Sequence, residues 1–452
     1  MLARPAPTLA LAASLGVTGC GGHAVTALPE SSSPFAAHSA ATPITHIVLV
    51  IQENRSFNDF FATFPGVTGT TTGKMRTGTG SKAKTEPISL KRVSLLSSDS
   101  LNHTYPAYKT AYRDGNMDAF NLIERGTGKT EGSAPYQYVD PQQIQPYWTL
   151  ASQYAIADKL FQTQGSESFT AHQDLIRGDT RIGPKRSIID IPTHFPWGCN
   201  APPGTATSVI SNGLVYERDK GPYPCFSYTT LADLLDSKKV SWKYYTPSWR
   251  NSAGAQWSAF LAVSAIFKNK DEWNAHVSTP PTNFFTDVAN DALPAMSWVI
   301  PDGMDSDHPG YGSDTGPSWV ADIVNAIGDS RYWNSTAIVV TWDDWGGFYD
   351  PVKPPKLDDQ GGPGFRVPMI VISPYVPKNE ISHTVYEFGS IVRFIEDTWQ
   401  LGRLGTTDAT TTSIANIFRF GHRPRRFEKI PATYSRSFFL RRPPSGVPVD
   451  DE

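Results

Sequence analysis

Apolar residues in this chain gather in short runs separated by longer, mixed stretches. Runs at 44–51, 186–190, 240–245, 296–300, 336–342 and 368–373 are rich in β-branched and aromatic residues. Continuous runs of that kind read as strands, and the most apolar of them as strands buried on both faces. Between them the period lengthens. Leu231, Leu234 and Leu235 within 229–238, Trp319, Val320, Ile323, Val324 and Ile327 within 318–327, and Ile391, Phe394, Ile395 and Trp399 within 390–401 each fall on one helical face. Helices are also predicted over 147–160 and 169–177. Strands alternating with helices predict an α/β sandwich with a mostly parallel central sheet and helices on both faces. The stretch 65–100, rich in Gly, Thr, Ser and Lys, reads as an insertion or surface loop, and the Arg- and Pro-rich tail after Gly421 as a surface wrap. No internal repeat or heptad pattern is present.

Two of the runs end in acidic clusters. Ile47-Val48-Leu49-Val50-Ile51 leads into Gln52-Glu53-Asn54-Arg55-Ser56-Phe57, and Ala337 to Trp342 leads into Asp343-Asp344-Trp345-Gly346-Gly347-Phe348. Ligands of open α/β sheets bind at the carboxyl ends of strands. If these two strands are neighbours, Glu53, Asn54, Asp343 and Asp344 converge as hard oxygen donors. Three carboxylates and an amide so crowded imply one divalent cation, with Mg²⁺, Ca²⁺ or Mn²⁺ favoured over Zn²⁺.

Composition narrows the class. A net charge of −3 gives no basic field for nucleic acid. Charged residues at 18% are too few for broad disorder, while 37 Pro and 36 Gly suit a loop-rich enzyme. Residues 1–19 combine a basic start, an apolar stretch from Leu9 to Val17 and Val17-Thr18-Gly19-Cys20. They resemble a bacterial lipoprotein signal cleaved before an acylated Cys20, with an ordinary secretory signal as the alternative. Residues 20–42 read as a flexible tether, 43–426 as the catalytic domain and 427–452 as a tail. The expected setting is the bacterial cell envelope or the exterior, with membrane contact only through the lipid, as a monomer. In an exported chain the remaining pair, Cys199 and Cys225, is expected to be bonded. The alternative, a catalytic thiol, has no His-bearing motif beside it.

Two further segments carry reactive groups. Gly165-Ser166-Glu167-Ser168-Phe169-Thr170-Ala171-His172 precedes a helical stretch, where a hydroxyl gains from the helix dipole. The plain alternative is that Ser166, Ser168 and Thr170 are caps. Pro301 to Pro309 follows the strand at 296–300 and holds Asp307 and His308. With His103, His308 is the most site-like of the ten histidines.

Taken together these motifs resemble the bacterial phosphoesterase family, which includes non-specific phospholipases C and an acid phosphatase on an alkaline-phosphatase-like sandwich. The resemblance runs from about Ile44 to about Arg426. It rests on Glu53-Asn54-Arg55-Ser56-Phe57, on His103 with Gly115-Asn116-Met117-Asp118-Ala119-Phe120, on Ser168 to Gln173, on Asp307-His308-Pro309, and on Trp342 to Asp350. It implies metal ligation by Glu53, Asn54, Asp343 and Asp344, a transiently phosphorylated Ser168, and phosphoryl or leaving-group contacts from His103 and His308. His172 and Asp307 are the expected substrate-binding residues. Tyr349-Asp350-Pro351-Val352 lacks the family's usual His, and Thr170 stands where Pro is common. The implied activity is hydrolysis of phosphate esters, phospholipids among the candidates, by a phospholipase C-like or acid phosphatase mechanism. A sulfate-ester hydrolase on the same sandwich and an envelope protein that binds metal or phosphate without catalysis are the rivals. Cleavage of a sulfate ester needs a Cys/Ser-x-Pro-x-Arg element, which the chain does not contain.

Overall fold

The apolar runs pair edge to edge in the computed structural model, which describes residues 42–447 apart from 98, 127, 213, 251–252 and 356–360. The strands are β1 (His46–Gln52), β2 (Ala155–Ala157), β3 (Trp242–Tyr245), β4 (Val277–Ser278), β5 (Met296–Val299), β6 (Thr336–Trp342), β7 (Met369–Ile372) and β8 (Glu380–Ser382). They form one eight-stranded sheet in the order β4-β3-β5-β1-β6-β7-β2-β8. Only β7 runs against the others, so the sheet is mostly parallel. Every residue of β6 and all but the first of β1 are buried, as strands covered on both faces require.

β1 and β6 are direct neighbours, in register from His46 opposite Thr336 to Gln52 opposite Trp342. The two acidic clusters therefore leave the sheet side by side, and the Asp343 amide donates to the Gln52 carbonyl at 3.0 Å. The helices that matter here are α1 (Tyr105–Tyr112), α2 (Gln145–Gln153), α3 (Ser168–Arg177), α4 (Gly316–Gly328) and α5 (Phe388–Trp399). α2 packs on α4, and α3 on α5. Every residue of α3 is buried, so its polar residues face the interior rather than water.

Two local expectations change. The helix predicted over 147–160 stops at Gln153, because Tyr154 leaves helical geometry (φ −132°, ψ −129°) and Ala155-Ile156-Ala157 joins the sheet as β2. An Ala-Ile-Ala run suits helix or strand equally, and the open edge of β7 decides it. The stretch 65–100 is not simply loop: Thr72–Thr77 and Lys84–Ser89 form an antiparallel hairpin. The segment after 426 runs over the surface, mostly exposed or half-buried, and is pinned at two points. Ile430 is buried and exchanges two backbone hydrogen bonds with the Asn325 amide, and Phe439 packs edge-on against Trp319.

A second, antiparallel sheet of four short strands (Arg181–Gly183, Arg186–Ile189, Ser208–Ser211, Val215–Glu217) lies beyond α3. Cys199 and Cys225 are disulfide-bonded near it, with Cα atoms 4.4 Å apart. Among the described residues, no helix is long and apolar enough to cross a membrane. Cys20, the signal region and the tether up to residue 41 lie outside the described residues.

Candidate active site

The loop after β1 is held in a sharp turn. The Glu53 amide donates to the Ser306 carbonyl at 2.8 Å, and Asn54 adopts a left-handed backbone (φ 54°), which Asn tolerates better than most residues. Its amide donates to Asp343 Oδ1 at 3.1 Å, which ties the two strand-end loops together. The second loop turns at Gly346 (φ 59°), where a Cβ would lie 2.2 Å from the Asn54 carbonyl oxygen. That close approach needs glycine.

α3 brings the hydroxyl. Ser168 opens the helix, and its Oγ donates to Asp344 Oδ2 at 3.1 Å and accepts from Asn54 Nδ2 at 3.3 Å. The neighbouring hydroxyls face elsewhere. Ser166 Oγ is near Gln162 Nε2, and Thr170 Oγ1 donates to the Asp190 carbonyl at 3.3 Å. His172 lies one turn on from Ser168, on the same helical face. Its Nε2 is 2.9 Å from Glu53 Oε1 and 3.8 Å from Asp343 Oδ2. His103 Nδ1 donates to the Leu101 carbonyl at 2.7 Å, which leaves Nε2 facing Asn54 Nδ2 at 2.9 Å and Asp344 Oδ2 at 3.5 Å.

Seven of the residues picked from the sequence therefore meet in one buried cluster: Glu53, Asn54, His103, Ser168, His172, Asp343 and Asp344. The other two sit differently. Asp307 is enclosed beneath the loop, where Oδ2 accepts from Tyr147 OH at 2.5 Å and from Gln52 Nε2 at 3.2 Å, while Arg55 grips its carbonyl. Burial pushes its carboxyl up to about 6. His308 binds the Pro309 carbonyl through Nδ1 at 2.6 Å and stacks on Tyr311 with ring centroids 4.3 Å apart.

The electrostatics are those of an uncompensated acid cluster. Burial first, and then the Asp343 charge, pushes the carboxyls of both Glu53 and Asp344 well above the usual range. Burial holds His172 down at about 4, so its ring is neutral. Glu53 Oε2, Asp343 Oδ2 and Asn54 Oδ1 are buried and take no hydrogen bond. Orphaned oxygens of this kind fit a cation, which would satisfy them and return the carboxyls to their charged state. The buried triad Glu53, His172 and Asp343, with ligand atoms all within 4.8 Å of one another, could hold a metal ion.

One neighbour was not picked from the sequence. Asp190 Oδ1 accepts from the Tyr105 amide at 2.8 Å, two residues past His103. Nothing in Ile188-Ile189-Asp190-Ile191 marks it, because its partners lie far away in the chain.

The Phosphoesterase family model matches residues 44–402. The chain is 26% identical to a non-hemolytic phospholipase C of Pseudomonas aeruginosa, over 79% of this chain and 54% of that protein. It is 23% identical to phospholipase C B of Mycobacterium tuberculosis, over 85% of this chain and 79% of that protein. The chain thus spans about half of the first relative's length and most of the second's. A lipoteichoic acid synthase of Listeria monocytogenes overlaps 83% of this chain and 77% of its own at a TM-score of 0.39 and 10% identity. A protein in the alkaline phosphatase superfamily from Vibrio parahaemolyticus overlaps 60% of this chain and 65% of its own at 0.33 and 12%. With four fifths of its length matched by the family model and the strand-end acids side by side, the chain belongs to the Phosphoesterase family.

Proposed function

We propose that the chain is a metal-dependent, phospholipase C-like phosphoesterase that works through a phosphorylated Ser168. The observation that carries this reading is the Ser168 hydroxyl. It lies at a helix N-terminus, within hydrogen-bond distance of Asn54 and Asp344, beside carboxylates whose free oxygens fit a cation. Glu53, Asn54, Asp343 and Asp344 would hold the ion, with His172 in reach. When bound, the ion supplies charge that stabilises an ionised hydroxyl and a phosphoryl oxygen. A nitrogen donor from His172 counts against Ca²⁺ and Mg²⁺, which take oxygen ligands, and puts Mn²⁺ ahead of both.

Phosphoryl transfer needs mainly in-line positioning and charge neutralisation. The Ser168 hydroxyl would pass its proton to Asp344 Oδ2, which it already bonds, as Oγ forms the new P–O bond and the substrate's ester oxygen leaves with a proton, which His308 would give. The α3 N-terminus and His103 meet the phosphoryl oxygens. Water then breaks the Ser168–phosphorus bond and restores the hydroxyl. Asp307, held by Tyr147 and Gln52, acts by fixing the loop that carries His308 rather than by touching substrate. Phospholipid head-group esters are the proposed substrates, with a lipid-anchored envelope protein as the proposed setting.

Turnover of bis-(4-nitrophenyl) phosphate, 4-nitrophenyl phosphate and phosphatidylcholine, before and after chelation, tests the reading. Loss with chelator and recovery with Mn²⁺ is expected. Binding of metal without turnover of any of these esters would favour a binding protein, and turnover of 4-nitrophenyl sulfate alone a sulfate-ester hydrolase.

A further inference from the structure

The Arg-rich stretch at 419–429 lies beyond the residues that the family model matches, and the site does not use it. It carries Arg419, Arg423, Arg425, Arg426 and Lys429 against one acid, Glu428, in a chain whose net charge is −3. Glu428 is itself met by Lys378 at 3.7 Å, and Arg419 by Glu380 at 3.0 Å. Arg423, Arg426 and Lys429 are exposed and, among the described residues, make no ion pair.

The stretch is a fixed ridge. Phe427 packs edge-on against Trp333 with ring centroids 5.0 Å apart, and Phe420 stacks on Phe418 at 5.2 Å. Trp333 Nε1 donates to the Arg425 carbonyl at 2.8 Å, and the Arg425 amide donates to the Pro374 carbonyl at 3.0 Å. The Arg425 guanidinium donates to the carbonyls of Gln153 and Val376 at 2.8 and 2.9 Å. These partners locate the ridge. Trp333 comes just before β6, Gln153 just before β2, and Pro374 just after β7, which runs the other way. All three stand at the amino ends of the parallel strands, opposite the site. β6 is seven residues long, so the ridge and the strand-end acids are about 20 Å apart. The chain enters β1 at the same end, where the Thr45 amide donates to the Ser335 carbonyl at 2.9 Å. The sequence reading places an acylated Cys20 upstream of that entry point.

Cations held on a rigid backbone, with few acids to answer them, attract an anionic surface. A layer of anionic lipid head groups presents such a surface to the whole ridge, and each Lys or Arg near it adds to binding.

We infer that the 419–429 ridge docks on an anionic lipid bilayer, beside the point where the chain enters the sheet, and turns the Ser168 site away from that bilayer. The inference goes beyond the phosphoesterase reading and stands or falls without it.

Co-sedimentation with vesicles tests it, using full chain with Cys20→Ala, so that no acyl chain contributes, and Ser168→Ala, so that the lipid stays intact. Vesicles of phosphatidylcholine mixed with phosphatidylglycerol should bind the chain at least tenfold more tightly than phosphatidylcholine alone, and salt should erase the difference. Arg423→Glu with Arg426→Glu and Lys429→Glu should abolish the preference. With Ser168 and Cys20 restored, the same three changes should leave the melting temperature and turnover of soluble bis-(4-nitrophenyl) phosphate unchanged. On the mixed vesicles, hydrogen exchange should slow at 419–429 and stay the same around Phe195, which is exposed on the wall of the cavity that includes Glu167, next to Ser168. Equal binding to both kinds of vesicle would overturn the inference, as would a preference that survives the three charge reversals. Protection around Phe195 in place of the ridge would overturn the orientation, and binding of duplex DNA without any preference for anionic vesicles would assign the ridge to a different polyanion and overturn the docking.

Discussion

Ser168 is singled out at the scale of residues by what its neighbours do. Ser166 and Thr170 bond away from the acid cluster, whereas Ser168 Oγ lies between Asn54 and Asp344. Ser168→Ala should therefore lower kcat by roughly 10³-fold or more, and Ser166→Ala or Thr170→Ala by far less. Glu53→Gln and Asp343→Asn each remove one charge from the proposed ion site. Both should lose bound metal and turnover yet keep a folded chain, read by metal analysis and melting temperature; metal retained in both variants would reassign the ligands. Asp307 gives a pH signature. Its folded carboxyl titrates near 6, raised by burial, against an ordinary value of about 3.9. The folded chain binds that proton more tightly than the unfolded one, so the stability it contributes is full below about pH 4 and is lost as pH rises through about 6. Asp307→Asn should flatten this slope by up to about 3 kcal/mol between pH 4 and pH 7, measured by urea unfolding. Equal slopes in the two proteins would place the proton elsewhere. Glu53, Asn54, Asp343 and Asp344 were legible because acids at the ends of apolar strands stand out in one dimension. His172 was visible as a residue but not as a neighbour of Glu53, since 119 positions separate the two. Asp190 was not visible at all, because its bonds to Tyr105 and Thr170 exist only after folding.

Elements set the site through two strand ends and one helix start. The loop after β6 can approach the loop after β1 only because Gly346 has no side chain. Gly346→Ala should separate the two loops and cut turnover well beyond any loss of stability, checked by activity and melting on the same preparation. The disulfide closes a 26-residue span near the four-stranded sheet. Cys199→Ala with Cys225→Ala should cost about 2–4 kcal/mol of stability and leave the ion site loaded. An unchanged melting temperature would show that the bond does not constrain the folded region. The long strands and amphipathic helices could be read from periodicity. β2 could not, because three small apolar residues carry no period and only the edge of β7 makes them a strand. The hairpin at Thr72–Thr77 and Lys84–Ser89 escaped for a related reason: its residues are mostly polar and all but one are exposed or half-buried, so no buried face marks it.

For the whole molecule, the mostly parallel sheet does one thing for function: it delivers β1 and β6 to the same edge in register. The family model matches residues 44–402, a span that contains both strand ends. The central claim is that this edge carries a phosphorylated serine. Quenching the enzyme in acid within milliseconds of mixing with ³²P-labelled phosphodiester, followed by peptide mapping, tests it directly. The account predicts a burst of label on the peptide containing Ser168, absent in Ser168→Ala and absent from chelated enzyme. Full turnover with no labelled peptide, or label that stays in place in Ser168→Ala, would contradict it.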